Sequence, residues 1–198
     1  MGILTPFLDL IRSIRTPPAP QPVTLPRLVT GVAERVRMYG DPGIRDGAVD
    51  EAWRKTHLAE FHGATALPGI PPQWYFQTHK AVVPHLRRAL ERARREAPEY
   101  EIQRAASFVF RHQRHDIRRP LSMHAWGLAV DIDAPQNQAR EFGPGKTPRP
   151  FSAEWAELWP HGLPEAFVEA FEAEGWTWGG RWRGFVDPMH LQWDRVPV

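Results

Sequence analysis

An aspartate interrupts an apolar strand-like run, and it constrains the fold more than any other feature of the 198-residue chain. In Leu128-Ala129-Val130-Asp131-Ile132-Asp133, strand alternation sends Val130 and Ile132 to one face and Ala129, Asp131 and Asp133 to the other. A carboxylate among apolar neighbours is costly to bury unless it is paired or bound to a metal. The fold must therefore bring a partner to Asp131. His124 lies seven residues earlier, with Gly127 between them to allow a sharp turn or close packing. His190 lies on a late strand predicted over residues 190–193, where it shares a face with Gln192 while Leu191 and Trp193 point the other way.

Two His and one Asp suit a catalytic zinc site, which takes three nitrogen or oxygen ligands and keeps a fourth position for water. Asp187 stands three residues before His190, across Pro188. That spacing can hold a second carboxylate beside the metal without occupying it, as a general base. Oxyanion stabilisation needs a cation or N–H group, and Arg111 leads Arg114 for that role. Trp182 is placed at the border of the substrate; Trp126 is placed in the packing behind the metal. His112 and His115 are assigned to a polar loop. His57, His62, His79, His85 and His161 have no partner at metal-ligand spacing and are assigned to structural or exposed positions.

The rest of the chain reads as one α+β domain preceded by a short extension. Residues 1–15 have an apolar helical stripe broken by Asp9 and Arg12, in the wrong order for a secretory signal. They suit a short amphipathic helix that docks on the domain or touches a membrane surface. Residues 16–26 hold five prolines and read as an extended linker, so the domain is placed at 27–198. Helices are predicted over residues 28–39, 79–96 and 165–174, and short strands over 53–58, 74–77, 107–110 and 128–132.

Composition excludes some chemistries. The chain has no cysteine, so it has no disulfide, no thiolate metal site and no cysteine nucleophile. No stretch approaches the ~20 apolar residues of a membrane span. Arginines crowd residues 87–95, but Glu91 and Glu96 interrupt them, and the stripe is read as a solvated face rather than a nucleic-acid site.

The segments Ser122-Met-His-Ala-Trp-Gly-Leu-Ala-Val-Asp131 and Asp187-Pro-Met-His190-Leu-Gln resemble the two signature motifs of the M15 metallopeptidases. That family includes D-alanyl-D-alanine carboxypeptidases and phage L-alanyl-D-glutamate endopeptidases. The resemblance runs from about residue 35 to 193 if the weaker Tyr39-Gly-Asp-Pro-Gly43 segment is counted. It implies Zn²⁺ held by His124, Asp131 and His190, with Asp187 as base. The segment Phe108-Val-Phe-Arg111-His-Gln-Arg114 resembles one that carries a substrate-contacting arginine, which points to Arg111. Ser122 matches a signature serine near the site.

Asp rather than Glu at position 187 resembles the endopeptidase and lysin branch. Gln192 departs from a common Glu, and Asp133 from a frequent Asn. The implied fold is a small antiparallel sheet flanked by helices, shared with the hedgehog signalling domain. The implied substrate is the peptide stem of bacterial peptidoglycan, with L-Ala–D-Glu the favoured bond and D-alanyl-D-alanine carboxypeptidase activity the alternative. A non-catalytic, hedgehog-like zinc module is the rival of another class.

Overall fold

Helix α3 (Val83–Glu96) carries the scaffold because its apolar stripe has a helical partner. Leu86, Ala89, Leu90 and Ala93 recur at helical spacing and are buried. They pack on α5 (Glu165–Ala173), whose Phe167, Val168, Ala170 and Phe171 are buried in turn. Arg88 and Arg92 both pair with Glu174 just beyond α5. Arg92 also pairs with Glu96, so part of the arginine stripe is neutralised within the fold. The sequence predicts this helix from residue 79, but residues 80–82 form a 3₁₀ turn first. The His79 ring accepts the Ala81 N–H at that turn, and Pro84, without an N–H, sits at the start of α3.

The computed structural model describes residues 24–43 and 47–197. The predicted N-terminal helix therefore lies outside the described residues, as does most of the linker. Around the α3–α5 pair are arranged α1 (Gly31–Tyr39), α2 (Glu51–His57), β1 (Leu58–Phe61), β2 (Phe76–His79), β3 (Ala105–Ala106), β4 (Ala129–Ile132), β5 (Arg140–Glu141), α4 (Ala153–Leu158), β6 (Thr177–Trp178), β7 (Phe185–Val186) and β8 (His190–Gln192). The architecture is α+β. No helix among the described residues is long and apolar enough to cross a membrane.

Two predicted strands are displaced. Residues 51–57 are helical rather than extended, because the Asp50 carboxylate accepts the N–H groups of Ala52 and Trp53 and caps a helix start. The strand expected at residues 107–110 pairs with β4 only at Ala105–Ala106; Phe108 and Val109 instead donate to the Gln77 and His124 carbonyls.

The central sheet is antiparallel in the order β3-β4-β8-β6. Its register sets Asp131 opposite His190, Val130 opposite Leu191, and Trp178 opposite Leu191. Val130, Leu191 and Trp178 therefore share the core face, while Asp131 and His190 share the other. Gly127 leads into β4 at φ 66°, and a Cβ there would lie 2.8 Å from the His79 backbone nitrogen. Only glycine fits both demands.

The end of α1 is tied to α2, to β2 and to the turn before β4. The Tyr39 carbonyl accepts from Trp53 Nε1 and His79 Nε2, and the Gly40 carbonyl accepts from Trp126 Nε1. Trp126 is thus fully buried packing, as expected.

His79 and His85 are buried and neutral in the fold. Burial, reinforced by the nearby charge of His57, lowers His79 from 6.5 to about 4; burial and Arg88 lower His85 to about 4. Between those values the unfolded chain binds more protons than the native one, so stability is complete above pH 6.5 and declines as pH falls toward 4. His79 uses one nitrogen as acceptor and the other as donor, so protonation breaks the bond from Ala81. The unfolding free energy of the wild type, relative to His79→Asn, is expected to drop by up to about 1.4 kcal/mol per pH unit below pH 6.5. Urea denaturation of both proteins at pH 7, 6 and 5 measures it; a constant difference would refute it.

Candidate metal centre

The paired strands β4 and β8 and the turn before them bring three side chains to one point. His124 lies in a 3₁₀ turn, Met123–Trp126, that is capped by Ser122. The Ser122 hydroxyl accepts the His124 N–H at 3.4 Å. Asp131 and His190 are direct cross-strand neighbours. His124 Nε2 lies 3.1 Å from Asp131 Oδ1 and 3.1 Å from His190 Nδ1, and the remaining side of the triangle is 3.2 Å. Among the described residues, this is the cluster whose ligand atoms can hold a metal ion. A tetrahedral Zn²⁺ with ligands near 2.0–2.1 Å sets them about 3.3 Å apart, so the triangle has the dimensions of one face.

The donors behind the triangle sharpen that fit. His124 Nδ1 lies 2.5 Å from the Ser107 carbonyl, which only accepts, so the proton sits on Nδ1 and the Nε2 lone pair faces inward. His190 Nε2 lies 3.1 Å from Gln192 Oε1, whose amide nitrogen is turned toward Asp194. His190 Nδ1 is thereby also left as an inward acceptor. With the ring protons on these outward nitrogens, two imidazole lone pairs and a carboxylate oxygen converge with no proton between them. A cation resolves that conflict. Such carbonyl partners are the usual orienting shell of metal-bound histidines.

The charges respond accordingly. Burial pushes the Asp131 carboxyl up, but its bonds with His124 and His190 outweigh that and hold it far below the ordinary range. Burial pulls the His190 imidazole down, and Asp131, Asp187 and Gln192 more than reverse it. A proton and a metal ion compete for the same inward lone pairs.

Asp187 opens a tight turn in which the His190 N–H donates to the Asp187 carbonyl at 3.1 Å across Pro188. Its own N–H donates to the Gly179 carbonyl, and a Cβ on Gly179 would come within 2.5 Å of the Asp187 carbonyl oxygen. Asp187 Oδ1 is buried with no hydrogen-bond partner among the described residues. Burial raises the Asp187 carboxyl, Asp131 raises it further, and the charges of His190, His124 and Arg111 pull in the opposite direction. Arg111 therefore acts on Asp187 electrostatically. Arg114 is placed differently: it pairs with Glu141 at 2.7 Å and lies over the Phe185 ring at 3.9 Å. His112 is tied to the Arg119 carbonyl in that loop, and His115 is exposed.

Trp182 lies against the cluster, its ring centre 5.3 Å from that of His190. On another side, Asp131 opens into a groove of about 520 Å³ that is also lined by Trp74, Arg104, Ala106 and Met189. Asp133 does not join the cluster, although alternation puts it on Asp131's face. The strand ends there at φ 45°, and its carboxylate accepts from Gln103 N, Arg104 N and the Tyr100 hydroxyl. It ties the β3 approach to β4. The Ser107 carbonyl is the acceptor that sequence reasoning missed, because a backbone atom has no side-chain signature. Gln192, read in the sequence as a departure from a common Glu, still provides a partner for His190 Nε2.

Residues 116–193 match a family model described as D-alanyl-D-alanine carboxypeptidase. The matched stretch contains His124, Asp131, Asp187 and His190 and leaves out Arg111 and Arg114. No curated protein and no solved structure matches the chain.

The triangle predicts one tight divalent ion per chain. After chelator stripping and dialysis, Zn²⁺ titrated into the protein is expected to bind with unit stoichiometry by calorimetry and to raise the melting temperature. His190→Ala is expected to lose both effects; tight binding that survives this substitution would place the ion elsewhere.

Proposed function

We propose, from the match of residues 116–193 to a D-alanyl-D-alanine carboxypeptidase family model and from the resemblance of both motifs to the M15 metallopeptidases, that the chain is a zinc hydrolase of peptidoglycan stem peptides. The observation that carries the reading is the buried, unpartnered Asp187 oxygen beside three converging acceptors. A site that served only to staple the fold has no use for a second carboxylate held out of every hydrogen bond.

His124, Asp131 and His190 are the proposed ligands. A Zn²⁺ held by them supplies a Lewis acid that acidifies water and polarises a peptide carbonyl. Asp187 takes the proton from the attacking water and passes it to the leaving amine. Its raised affinity for a proton suits that exchange, since a base is most effective when its pKa approaches the working pH. Arg111 is proposed to face the charge that develops on the carbonyl oxygen. Ser122 acts through the His124 turn that it caps. Trp182 covers the His190 side and limits access of bulk water. Arg114, held by Glu141 and Phe185, shapes the loop that carries Arg111.

The favoured bond is internal, L-Ala–D-Glu. The groove at Asp131 reaches the cluster and gives room for a substrate that extends past the site. The Asp at position 187 supports the same branch. The description of the matching family favours the second reading, removal of a terminal D-alanine. Mass spectrometry of digested peptidoglycan separates them: new amino-terminal D-Glu identifies the endopeptidase, free D-alanine the carboxypeptidase.

Asp187→Asn is expected to retain Zn²⁺ at wild-type stoichiometry and to lose hydrolysis by about 10²–10⁴-fold. Undiminished hydrolysis by that variant would remove Asp187 as the base. No hydrolysis by the zinc-loaded wild type, on any stem peptide, would leave the non-catalytic zinc module as the better reading.

A further inference from the structure

A cleft of about 700 Å³ lies between the loop of residues 143–150 and the turn of residues 180–184. Arg149, Arg181 and Arg183 line it together with Trp182, and no acidic residue does. Arg181 is already engaged, because Glu172 holds it at 2.6 Å through both carboxylate oxygens. The guanidinium groups of Arg149 and Arg183 have no ion pair or hydrogen bond among the described residues. The cleft thus carries two uncompensated positive charges.

Its walls are tied together. Strands β5 and β7 pair through Arg140–Val186 and Glu141–Phe185. Beyond them the Phe142 N–H donates to the Gly184 carbonyl at 2.6 Å, and the Gly184 N–H donates to the Thr147 hydroxyl at 3.0 Å. The cleft is also coupled to the candidate metal centre. The Gly179 carbonyl accepts both the Trp182 N–H and the Asp187 N–H, so one backbone atom fixes the cleft's aromatic wall and the proposed base. The same Trp182 ring packs against His190.

We propose that this cleft is a subsite that holds a carboxylate of the peptide substrate beside the scissile bond. The proposal rests on the peptidase reading above and adds to it the substrate's charge. Guanidinium groups bind carboxylates through paired N–H donors, which gives orientation as well as attraction. Arg149 and Arg183 are both exposed, so their attraction is screened by salt. A stem peptide offers two such groups, the α-carboxylate of its γ-linked D-Glu and the terminal carboxylate. The chemistry is shared, and the location of the carboxylate tells the two apart.

The test uses a synthetic stem tetrapeptide in three forms: Glu carboxylate free with the terminus amidated, terminus free with the Glu amidated, and both amidated. Binding is measured by calorimetry on the full chain, stripped of metal so that nothing is cleaved. Wild type and the double variant Arg149→Ala/Arg183→Ala are compared at low and at high salt. The double variant is expected to bind one of the acid forms about ten-fold more weakly, with the loss shrinking at high salt. The doubly amidated form is expected to bind both proteins alike. Whichever acid form carries the loss identifies the carboxylate that is held. Equal losses on all three forms, no loss on any, or no binding of either acid form to the wild type would overturn the proposal. Cleavage of the same peptides by the zinc-loaded wild type is scored separately. Peptides that bind through the arginines but stay uncleaved would defeat the peptidase reading and leave the subsite standing.

Discussion

Three electron-pair donors that point at one another are unstable company unless a cation sits among them, and much of this domain is arranged to hold them there. The antiparallel register of β4 and β8 puts Asp131 beside His190. The capped turn at Ser122 swings His124 over them. The Ser107 carbonyl and the Gln192 amide take the outward ring protons, so neither histidine can relieve the conflict by turning its N–H inward. Each element is ordinary by itself. Together they preform a set of acceptors that an unfolded chain lacks, and the proposed metal affinity rests on that set.

The same constraint explains how much of the molecule is legible in the sequence. Asp131 is conspicuous because a carboxylate in an apolar strand needs a partner, and its partners follow from residue type and strand alternation. The helices α3 and α5 are legible because their apolar stripes are long. Short elements are not. Residues 51–57 form a helix because one carboxylate, that of Asp50, caps it, and a seven-residue stretch has too few turns to show a period. Alternation fails at Asp133 because φ turns positive there, a local event that a pattern of residue types does not record. The acceptor behind His124 is hidden for another reason: it is a backbone carbonyl, and its position depends on where residues 105–109 leave the sheet.

Gln192 illustrates how a departure from a motif can preserve a contact. A carboxylate at this position would accept the His190 proton and add negative charge to the site. The amide accepts the same proton without the charge, and its nitrogen is taken up by Asp194. The ring orientation is kept and the field at the cluster is less negative. That matters for Asp187, whose carboxyl is already raised by burial and by Asp131. An additional anion behind His190 would push it further toward the protonated form.

The strongest argument that this cluster performs chemistry is energetic rather than geometric. An unpartnered buried polar atom typically costs about 1–3 kcal/mol, a sizeable part of the stability of a domain. Asp187 Oδ1 carries that cost although the surrounding backbone is rich in donors, and the turn around it satisfies its N–H and carbonyl but not its side chain. A zinc site kept only for stability would gain by closing over this group or replacing it with an apolar residue. The Arg111 charge acts on Asp187 without a hydrogen bond to it among the described residues, so the carboxylate is attracted yet left open. An acceptor held available beside three converging metal-ligand candidates suits a bound water molecule, and the hydrolase proposal stands on that arrangement.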